Sequence, residues 1–331
     1  MKIIGKILTV FVLMVIVYGC GSNNNFNGEP EEKLMAIAHS LLGDVNGDGK
    51  VTIDDITDLI DYLLIVNGND KRYDVNDDGK ISIEDVTFLI DMLLNGYTQN
   101  DGIYEANGVQ FKMVFVETCP YMMGAKLTEP GSRVFEKPQH LVILSDYKIG
   151  ETEVTQELWS AVMGKNPSIF KGDLQRPVEW VSWDDCQEFI TKLNEITGKN
   201  FRLPTEAEWE FAARGGITSI TDYYYFSGSN KCADVAWYVT NSDSITHPVK
   251  QLQPNALGIY DMSGNVCEWV NDWYGSYTDE EQINPQGPYT GTFKVYRCGA
   301  YTDGALYCRV SYRYMREPST RRQWLGFRLA L

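Results

Sequence analysis

Two stretches of the chain show the spacing of apolar residues that is typical of an amphipathic helix. In each stretch apolar side chains recur three and four residues apart, which places them on one face of a helix. The predicted faces are Ile56, Leu59, Ile60, Leu63 and Leu64 after a Thr52 cap with Asp55, and Val86, Leu89, Ile90, Leu93 and Leu94 after a Ser82 cap with Asp85. The chain therefore contains two copies of one short helical unit.

The long region after these helices has a different pattern. It is rich in Trp, Tyr and Gly, and most of it reads as short strands and long turns. Three segments have the caps and stops of helices. They are QELWSAVM between Thr155 and Gly164, WDDCQEFITKLNEIT between Ser182 and Gly198, and EWEFAAR after a Thr205/Glu208 capping box and before Gly215 and Gly216. This pattern predicts a mixed α+β domain with much irregular structure.

The N-terminal residues have the pattern of an export signal. Lys2 and Lys6 precede an apolar run, Ile7 to Val17, that is too short to span a bilayer comfortably. The run ends in VYGC, which resembles a bacterial lipobox with Cys20 as the lipidated residue. An ordinary cleaved signal with an incidental cysteine is the alternative. We therefore predict a lipoprotein signal peptide at 1–19, a polar tether at 20–42, the repeat at 43–96, a polar linker at 97–108 and the α+β domain at 109–331.

Charge is distributed unevenly along the chain. The formal net charge of the 331 residues is −16, which argues against nucleic-acid binding because phosphate contacts need clustered Lys and Arg. Between Gly43 and Gly96 there are thirteen acidic and four basic residues. This concentration of acid in the repeat indicates that cations bind there.

Each helical unit opens with a twelve-residue loop that matches a calcium-binding pattern. Oxygen donors stand at positions 1, 3, 5, 7, 9 and 12, with a glycine at position 6 for the sharp turn. The predicted ligands are Asp44, Asn46, Asp48, the Lys50 carbonyl, Thr52 and Asp55 in the first loop, and Asp74, Asn76, Asp78, the Lys80 carbonyl, Ser82 and Asp85 in the second. We expect two calcium ions here. The polar segment between the copies is too short for the entering helix of an EF-hand, so the unit is a half-EF-hand duplication.

This duplication resembles a dockerin, a small all-α calcium module that docks onto cohesin domains. The resemblance covers residues 43–96 and implies a cohesin-like protein partner or an envelope assembly. A spacer role, or contact with the neighbouring domain of the same chain, is the alternative. Since so small a unit has little core, we expect its order to depend on calcium.

Several motifs of the C-terminal domain resemble the formylglycine-generating enzyme family, also called sulfatase-modifying factor domains. The motifs are YKIGETEVTQELWSAVMG, PVEWVSWDDCQEFITKLNEITGKNFRLPTEAEWEFAARGG, HPVKQLQPNALGIYDMSGNVCEW, CRVSYR and GFRLAL, in the family's order. The resemblance implies a C-type-lectin-like fold with little regular secondary structure and with bound calcium. In GIYDMSGNVCEW it implies at least one calcium site made by the Asp261 and Glu268 side chains and the Gly264 and Val266 carbonyls, which are suitable hard donors.

The family's oxidase site departs from its usual pattern here. The enzymes of the family oxidise a sulfatase cysteine with oxygen and a copper(I) ion that two cysteines bind. The second of these cysteines matches Cys308, whereas the first matches Asp303. Soft Cu(I) prefers thiolates over carboxylates, so we expect weak copper binding. A rescue in which Cys298 supplies the second thiolate departs from the family's spacing.

The remaining cysteines leave the disulfide pattern open. Besides Cys20 the chain has Cys119, Cys186, Cys232, Cys267, Cys298 and Cys308, and neither CxxC nor a Cys/His cluster indicates zinc. Cys267 and Cys298 replace residues that are usual in the family's motifs, and we hypothesise a disulfide between them.

These patterns predict a lipoprotein of the bacterial cell envelope, periplasmic or surface-exposed, with a non-catalytic binding or scaffolding role in a polysaccharide- or sulfatase-handling assembly. The alternatives are a metal-dependent oxidase that generates formylglycine on sulfatases, and glycan or protein binding through the lectin-like fold.

Overall fold

The computed structural model describes residues 45, 53–63, 73, 75, 81–83, 85–87, 89–90, 102–220 and 222–331. Within these ranges no helix is both long enough and apolar enough to cross a membrane. Several predictions lie outside the described residues. They are the signal peptide 1–19, lipidation at Cys20, the tether, and the loop ligands Asp44, Asn46, Asp48, Lys50, Thr52, Asp74, Asn76, Asp78 and Lys80.

The repeat region contains helix α1, Ile53–Asp61, and helical residues at the equivalent places of the second copy. The buried side chains of the two copies form one small cluster around Leu59 and Leu89. Among the described residues of the predicted apolar faces, Leu59 and Leu89 are fully buried, whereas Ile60 and Ile90 are exposed.

The C-terminal domain contains four further α-helices in the order of the chain. They are α2 (Gln156–Met163), α3 (Trp183–Thr197), α4 (Glu206–Ala213) and the short α5 (Cys232–Val235). Turns of 3-10 helix lie at Val134–Glu136, Gly216–Ile220 and Ala305–Tyr307. The three predicted helices are confirmed, and α4 has the predicted capping box of Thr205 and Glu208.

Helices α2, α3 and α4 begin at the predicted caps. The side chains of Thr155, Ser182 and Thr205 each accept the backbone N–H three residues later. Helices α2 and α3 end at Gly164 and Gly198, which adopt the left-handed conformation that glycine tolerates best. Local capping chemistry therefore fixes these helix boundaries.

In the part of the chain that the structure describes, ten short strands form three separate sheets. The strands are β1 (Gly102–Ala106), β2 (Val109–Val116), β3 (Tyr121–Met123), β4 (His140–Ile143), β5 (Tyr147–Gly150), β6 (Cys267–Trp273), β7 (Gln282–Ile283), β8 (Lys294–Arg297), β9 (Arg313–Arg316) and β10 (Leu325–Phe327). The sheet orders are β1-β2-β5, β3-β4-β7 and β10-β6-β8-β9. Pairing is antiparallel except for β4 with β7 and β6 with β10.

The predicted linker 97–108 is wrong in its second half. Residues 102–106 form β1, which pairs in antiparallel register with β2 from Gly102 opposite Met113 to Ala106 opposite Val109. The backbone of this polar segment finds its hydrogen-bond partners in a hairpin, and Ala106 is fully buried. The folded domain therefore begins before residue 109.

Strand β6 separates two apolar cores. Trp269 packs in a cluster with Trp159, Phe189 and Phe327, whereas the next residue, Val270, packs in a second cluster. Successive side chains of a strand point to opposite faces, so one strand serves both cores. Cys267, at the start of β6, lies where this strand approaches the segment after β8.

Candidate functional site

The segment after β8 holds the two residues that match the family's copper-binding cysteines. Asp303 closes a tight turn, because its backbone N–H donates to the Ala300 carbonyl (2.8 Å) and its carboxylate accepts the Ala300 N–H (2.9 Å). Burial raises the pKa of this carboxyl. The Asp303 carboxylate therefore caps and stabilises its own turn.

Cys308 points into an apolar cluster instead of toward a second metal donor. Its fully buried side chain packs with Phe226, Cys232, Val235 and Ala236. A hydrogen bond with the Cys232 thiol, and then burial, raise the pKa of Cys308 well above its ordinary value. Cys308 is therefore a neutral thiol at neutral pH, whereas metal binding and nucleophilic chemistry need the thiolate.

The predicted disulfide between Cys267 and Cys298 is absent from the structure. The two residues are neighbours, and both are buried free thiols. The Cys267 sulfur donates to the Cys298 carbonyl oxygen (3.1 Å), and the Cys298 sulfur accepts the Gly264 N–H (3.0 Å). The two sulfurs contact different backbone groups, and a bond between them stays a prediction.

The predicted calcium ligands Asp261 and Glu268 flank one loop and are buried. A carboxylate oxygen of Asp261 accepts the Lys250 N–H (2.8 Å). Both carboxylate oxygens of Glu268 accept hydrogen bonds from Arg328 (2.6 and 2.7 Å). Gly264 between them requires glycine, because its φ is +84° and a Cβ would lie 2.4 Å from the Trp237 carbonyl oxygen.

A third carboxylate, Glu153, completes this buried group, and sequence reasoning missed it. It accepts hydrogen bonds from the Val266 N–H (3.1 Å) and from the Asn265 side chain (2.8 Å). Burial, and then the charges of Asp261 and Glu268, raise the pKa of Glu153 well above its ordinary value. Only its place in the motif YKIGETEVTQ, far from the other ligands, could have drawn attention to it.

Three buried carboxylates share one arginine in this group. Glu153, Asp261 and Glu268 lie near a single guanidinium, that of Arg328, whose charge lowers the pKa of Glu153 and Asp261. Burial raises the pKa of Asp261 to about 6. Among the described residues, no set of three or more Asp, Glu, His or Cys side chains is arranged to hold a metal ion. A hard cation here would therefore need the Gly264 and Val266 carbonyls as well as carboxylates, which is the mixed donor set that the resemblance implies.

In the repeat, the two residues at loop position 12 have equivalent surroundings. Asp55 accepts the Val45 N–H (3.0 Å), and Asp85 accepts the Val75 N–H (2.9 Å). Both carboxylates are fully buried. Each bond joins position 2 to position 12, so it closes the loop and orients one carboxylate in the same way in both copies.

A cavity of about 470 Å³ has His140, Asp272 and Arg313 in its walls. Its lining residues do not include Asp303 or Cys308, which match the family's oxidase site.

Comparison with known proteins assigns both folded regions to families. The sequence model described as "Sulfatase-modifying factor enzyme 1-like domain" matches residues 104–331, and that of the dockerin type I domain matches residues 42–94. The first match covers more than half of the chain. The resemblances to the formylglycine-generating enzyme family and to dockerins are thus confirmed.

Individual relatives agree with these matches. The "Chaperone protein LppX" of Paenibacillus barcinonensis is 34% identical over 221 residues, which cover 52% of this chain and 75% of that protein. The formylglycine-generating enzyme of Streptomyces coelicolor is 33% identical over 217 residues, which cover 58% of this chain and 66% of the enzyme.

A solved structure shows the same fold. The Treponema denticola variable protein 1 superposes with a TM-score of 0.64 at 36% identity, covering 70% of this chain and 99% of that one. Together with the family match, this similarity shows that the chain belongs to the sulfatase-modifying factor (formylglycine-generating enzyme) family and carries a dockerin type I domain in front of the family's fold.

Proposed function

We propose that this protein is a calcium-dependent docking protein of the bacterial cell envelope, lipid-anchored through Cys20, whose C-terminal domain binds or scaffolds other molecules and lacks copper oxidase activity. The observation that carries the proposal is the set of contacts that the Asp303 and Cys308 side chains make. The carboxylate of Asp303 caps its own turn, and the thiol of Cys308 contacts Cys232.

The chemistry of these two groups disfavours Cu(I). A soft monovalent ion takes thiolates, and here one family position offers a carboxylate oxygen. The other offers a thiol whose pKa is raised, so binding copper would require removal of a proton from a buried group. Neither side chain therefore offers the thiolate that binds Cu(I) in the enzymes of the family.

Both regions have features that support calcium binding. Family membership implies calcium in each, and we place two ions in the repeat loops and one at the group of Asp261 and Glu268. In the repeat, the matched bonds of Asp55 and Asp85 support equivalent ions. When bound, such an ion supplies positive charge to buried carboxylates, and the residues of this chain orient the oxygens.

The repeat exposes apolar residues at equivalent positions of both copies. Ile53 and Ile83 are 73% and 68% exposed, and Ile60 and Ile90 are also exposed. Dockerins as a class bind cohesin domains, and exposed isoleucines on an ordered helix offer a protein partner apolar contact area. We therefore propose a cohesin-like partner. The similarity to a protein named as a chaperone also supports a protein-binding role for the C-terminal domain.

The oxidase function is tested by copper binding and turnover. The reduced full chain is titrated with Cu(I) against a competing chelator, and then assayed with a peptide that contains Cys-x-Pro-x-Arg. We expect no stoichiometric copper and no aldehyde product. As a comparison, the double variant Asp303→Cys/Cys232→Ser offers two thiols and should bind Cu(I) roughly tenfold more tightly or better.

Stoichiometric copper in the unaltered chain, together with oxygen consumption and aldehyde product, would establish the oxidase instead. The 33% identity to a formylglycine-generating enzyme is the observation that favours this second candidate.

Docking and anchoring have their own tests. Capture of envelope proteins by the full chain is compared with and without a calcium chelator, and with the variant Asp55→Ala/Asp85→Ala. We expect the same partner to be lost in both treatments. Metabolic labelling with a radioactive fatty acid, with Cys20→Ser as the control, tests the anchor, and equal labelling of both chains would remove it from the proposal.

A further inference from the structure

Two thiols from distant parts of the chain meet in one buried cluster. Cys232 begins α5, and Cys308 directly follows the 3-10 turn Ala305–Tyr307. Their side chains pack in one buried cluster with Phe226. The Cys308 sulfur also contacts the Gly304 carbonyl oxygen (3.9 Å), and the Cys232 thiol is the first cause of the raised pKa of Cys308. No motif suggested this pair, because Cys232 lies in none of the stretches that resemble the family.

Backbone contacts hold the two segments side by side. The Val239 N–H donates to the Asp303 carbonyl (3.0 Å), and the Val310 N–H donates to the Tyr225 carbonyl (2.9 Å). The Ser263 hydroxyl donates to the Cys308 carbonyl (2.8 Å). The segments are therefore fixed on both sides of the thiol pair, so the contact belongs to the fold and does not depend on one mobile side chain.

We propose that Cys232 and Cys308 form a disulfide bond when the chain folds in an oxidising environment. The oxidant is a disulfide-bearing molecule such as oxidised glutathione or a thiol-disulfide oxidoreductase. One cysteine thiolate attacks the oxidant and releases one thiolate, and the second cysteine then attacks the mixed disulfide and releases the other. Two protons and two electrons leave the protein, and one disulfide of the oxidant becomes two thiols.

The bond forms during folding, before the cluster closes. In the folded protein both sulfurs are buried, and the raised pKa of Cys308 keeps it protonated and slow to react. Cys267 and Cys298 are also neighbours, and their sulfurs contact the Cys298 carbonyl and the Gly264 N–H. Cys232 and Cys308 are the two cysteines of one cluster of five buried residues, and this proximity is the basis of the proposal.

The test is a disulfide map of the full chain. The reduced, unfolded chain is refolded with calcium in a glutathione buffer, alkylated, and digested without reduction. Trypsin releases Cys232 in residues 232–250, Cys267 in residues 251–294, and Cys298 with Cys308 in residues 298–309. Further cleavage before Asp303 separates Cys298 from Cys308. We expect residues 303–309 to be linked to the fragment that contains Cys232.

Matched variants sharpen the map. Cys298→Ser should retain the link and Cys308→Ser should lose it, and the oxidised chain should unfold roughly 5 to 15 °C higher than the reduced chain. Free Cys232 and Cys308, or a link of either one to a different cysteine, in unaltered protein refolded with oxidised glutathione would overturn the proposal. The map uses the unaltered chain, so it stands even if a variant fails to fold, and it is independent of the copper assay.

Discussion

The two folded regions bury carboxylates in different ways. In the repeat, Asp55 and Asp85 accept backbone N–H groups from their own loops. In the C-terminal domain, Glu206 and Glu210 both accept hydrogen bonds from the buried guanidinium of Arg297 (2.8 and 2.7 Å). Backbone donors orient a carboxylate without neutralising it, whereas arginine does both.

This difference assigns a different source of order to each region. The repeat has thirteen acidic and four basic residues between positions 43 and 96, so the cation that balances its loops must come from solution. The C-terminal domain carries its cations in the chain, as Arg309 beside Glu129 and Glu136 also shows. Calcium concentration should therefore determine whether the repeat is ordered. Most of the C-terminal domain should instead be stabilised by ion pairs within the chain.

The largest expected effect is the response of the repeat to calcium removal. With a chelator, we expect the amides of 53–63 to lose nearly all protection from hydrogen exchange, because the ligand-bound loops are the main source of their order. Helix α3 should keep its protection. Hydrogen exchange measured by mass spectrometry on the full chain reports both at once.

Equal protection of 53–63 with and without calcium would show that calcium is not the main source of order in the repeat. The control is Asp85→Asn, which keeps an oxygen for the Val75 N–H but removes a charge. It should weaken calcium binding and reproduce part of the loss of protection from hydrogen exchange.

The next effect is expected from Glu210→Gln in the C-terminal domain. This change leaves Arg214 and Arg297 buried with one charge partner fewer, and should lower the free energy of unfolding by about 3–5 kcal/mol. Chemical denaturation in saturating calcium measures it. Glu188→Gln breaks only an exposed pair with Lys192 and should change stability by about 0.5 kcal/mol or less. Similar losses from both variants would contradict the role given to buried pairs.

A smaller effect concerns Asp272, whose carboxylate accepts the Glu206 N–H (2.8 Å). Burial, and then the charge of Glu206, raise its pKa from 3.8 to about 8. The folded state therefore binds a proton that the unfolded state has lost, so this group makes the free energy of unfolding fall as pH rises from about 4 to about 8. Asp272→Asn should remove that slope and stabilise the domain at pH 9.

Unfolding measured at several pH values between 4 and 9 tests this expectation. The unaltered protein and the variant should be close in stability near pH 5, where Asp272 is protonated, and should diverge above pH 8. Parallel pH profiles would show that the carboxyl is not the source of the slope.

The smallest effect is that of a helix cap. Ser182→Ala removes the acceptor of the Asp185 N–H at the start of α3 and should lower stability by about 1 kcal/mol. Because the Ser182 cap contacts only the first turn of α3, the loss should be the same with and without calcium. Thermal unfolding under both conditions checks it, and a calcium-dependent loss would contradict a purely local role of the cap.

Local chemistry made the helices of the C-terminal domain predictable. Thr155, Ser182 and Thr205 satisfy N–H groups three residues away, and Gly164 and Gly198 end helices by their own conformational preference. The family motifs likewise indicated the fold. The strands were harder to predict from the sequence, because β1 resembles a polar linker until its partner β2 is known.

The parts that sequence reasoning missed depend on distant residues. Helix α4 is entirely buried although it contains Glu206, Glu208 and Glu210, and its partners Arg297 and Arg313 come from strands about a hundred residues later. Glu153 and Cys232 became visible only when the fold placed them beside Glu268 and Cys308. No local pattern encodes such contacts.

The long separation of these ion pairs has a consequence for synthesis of the chain. Glu129 and Glu136 leave the ribosome well before Arg309, their partner more than 170 residues later. Until that arginine emerges, the two acids stay in water, since burying them unpaired is unfavourable. The C-terminal domain therefore completes its fold only after most of it has been translated, and a nascent chain halted before Arg309 should remain sensitive to protease.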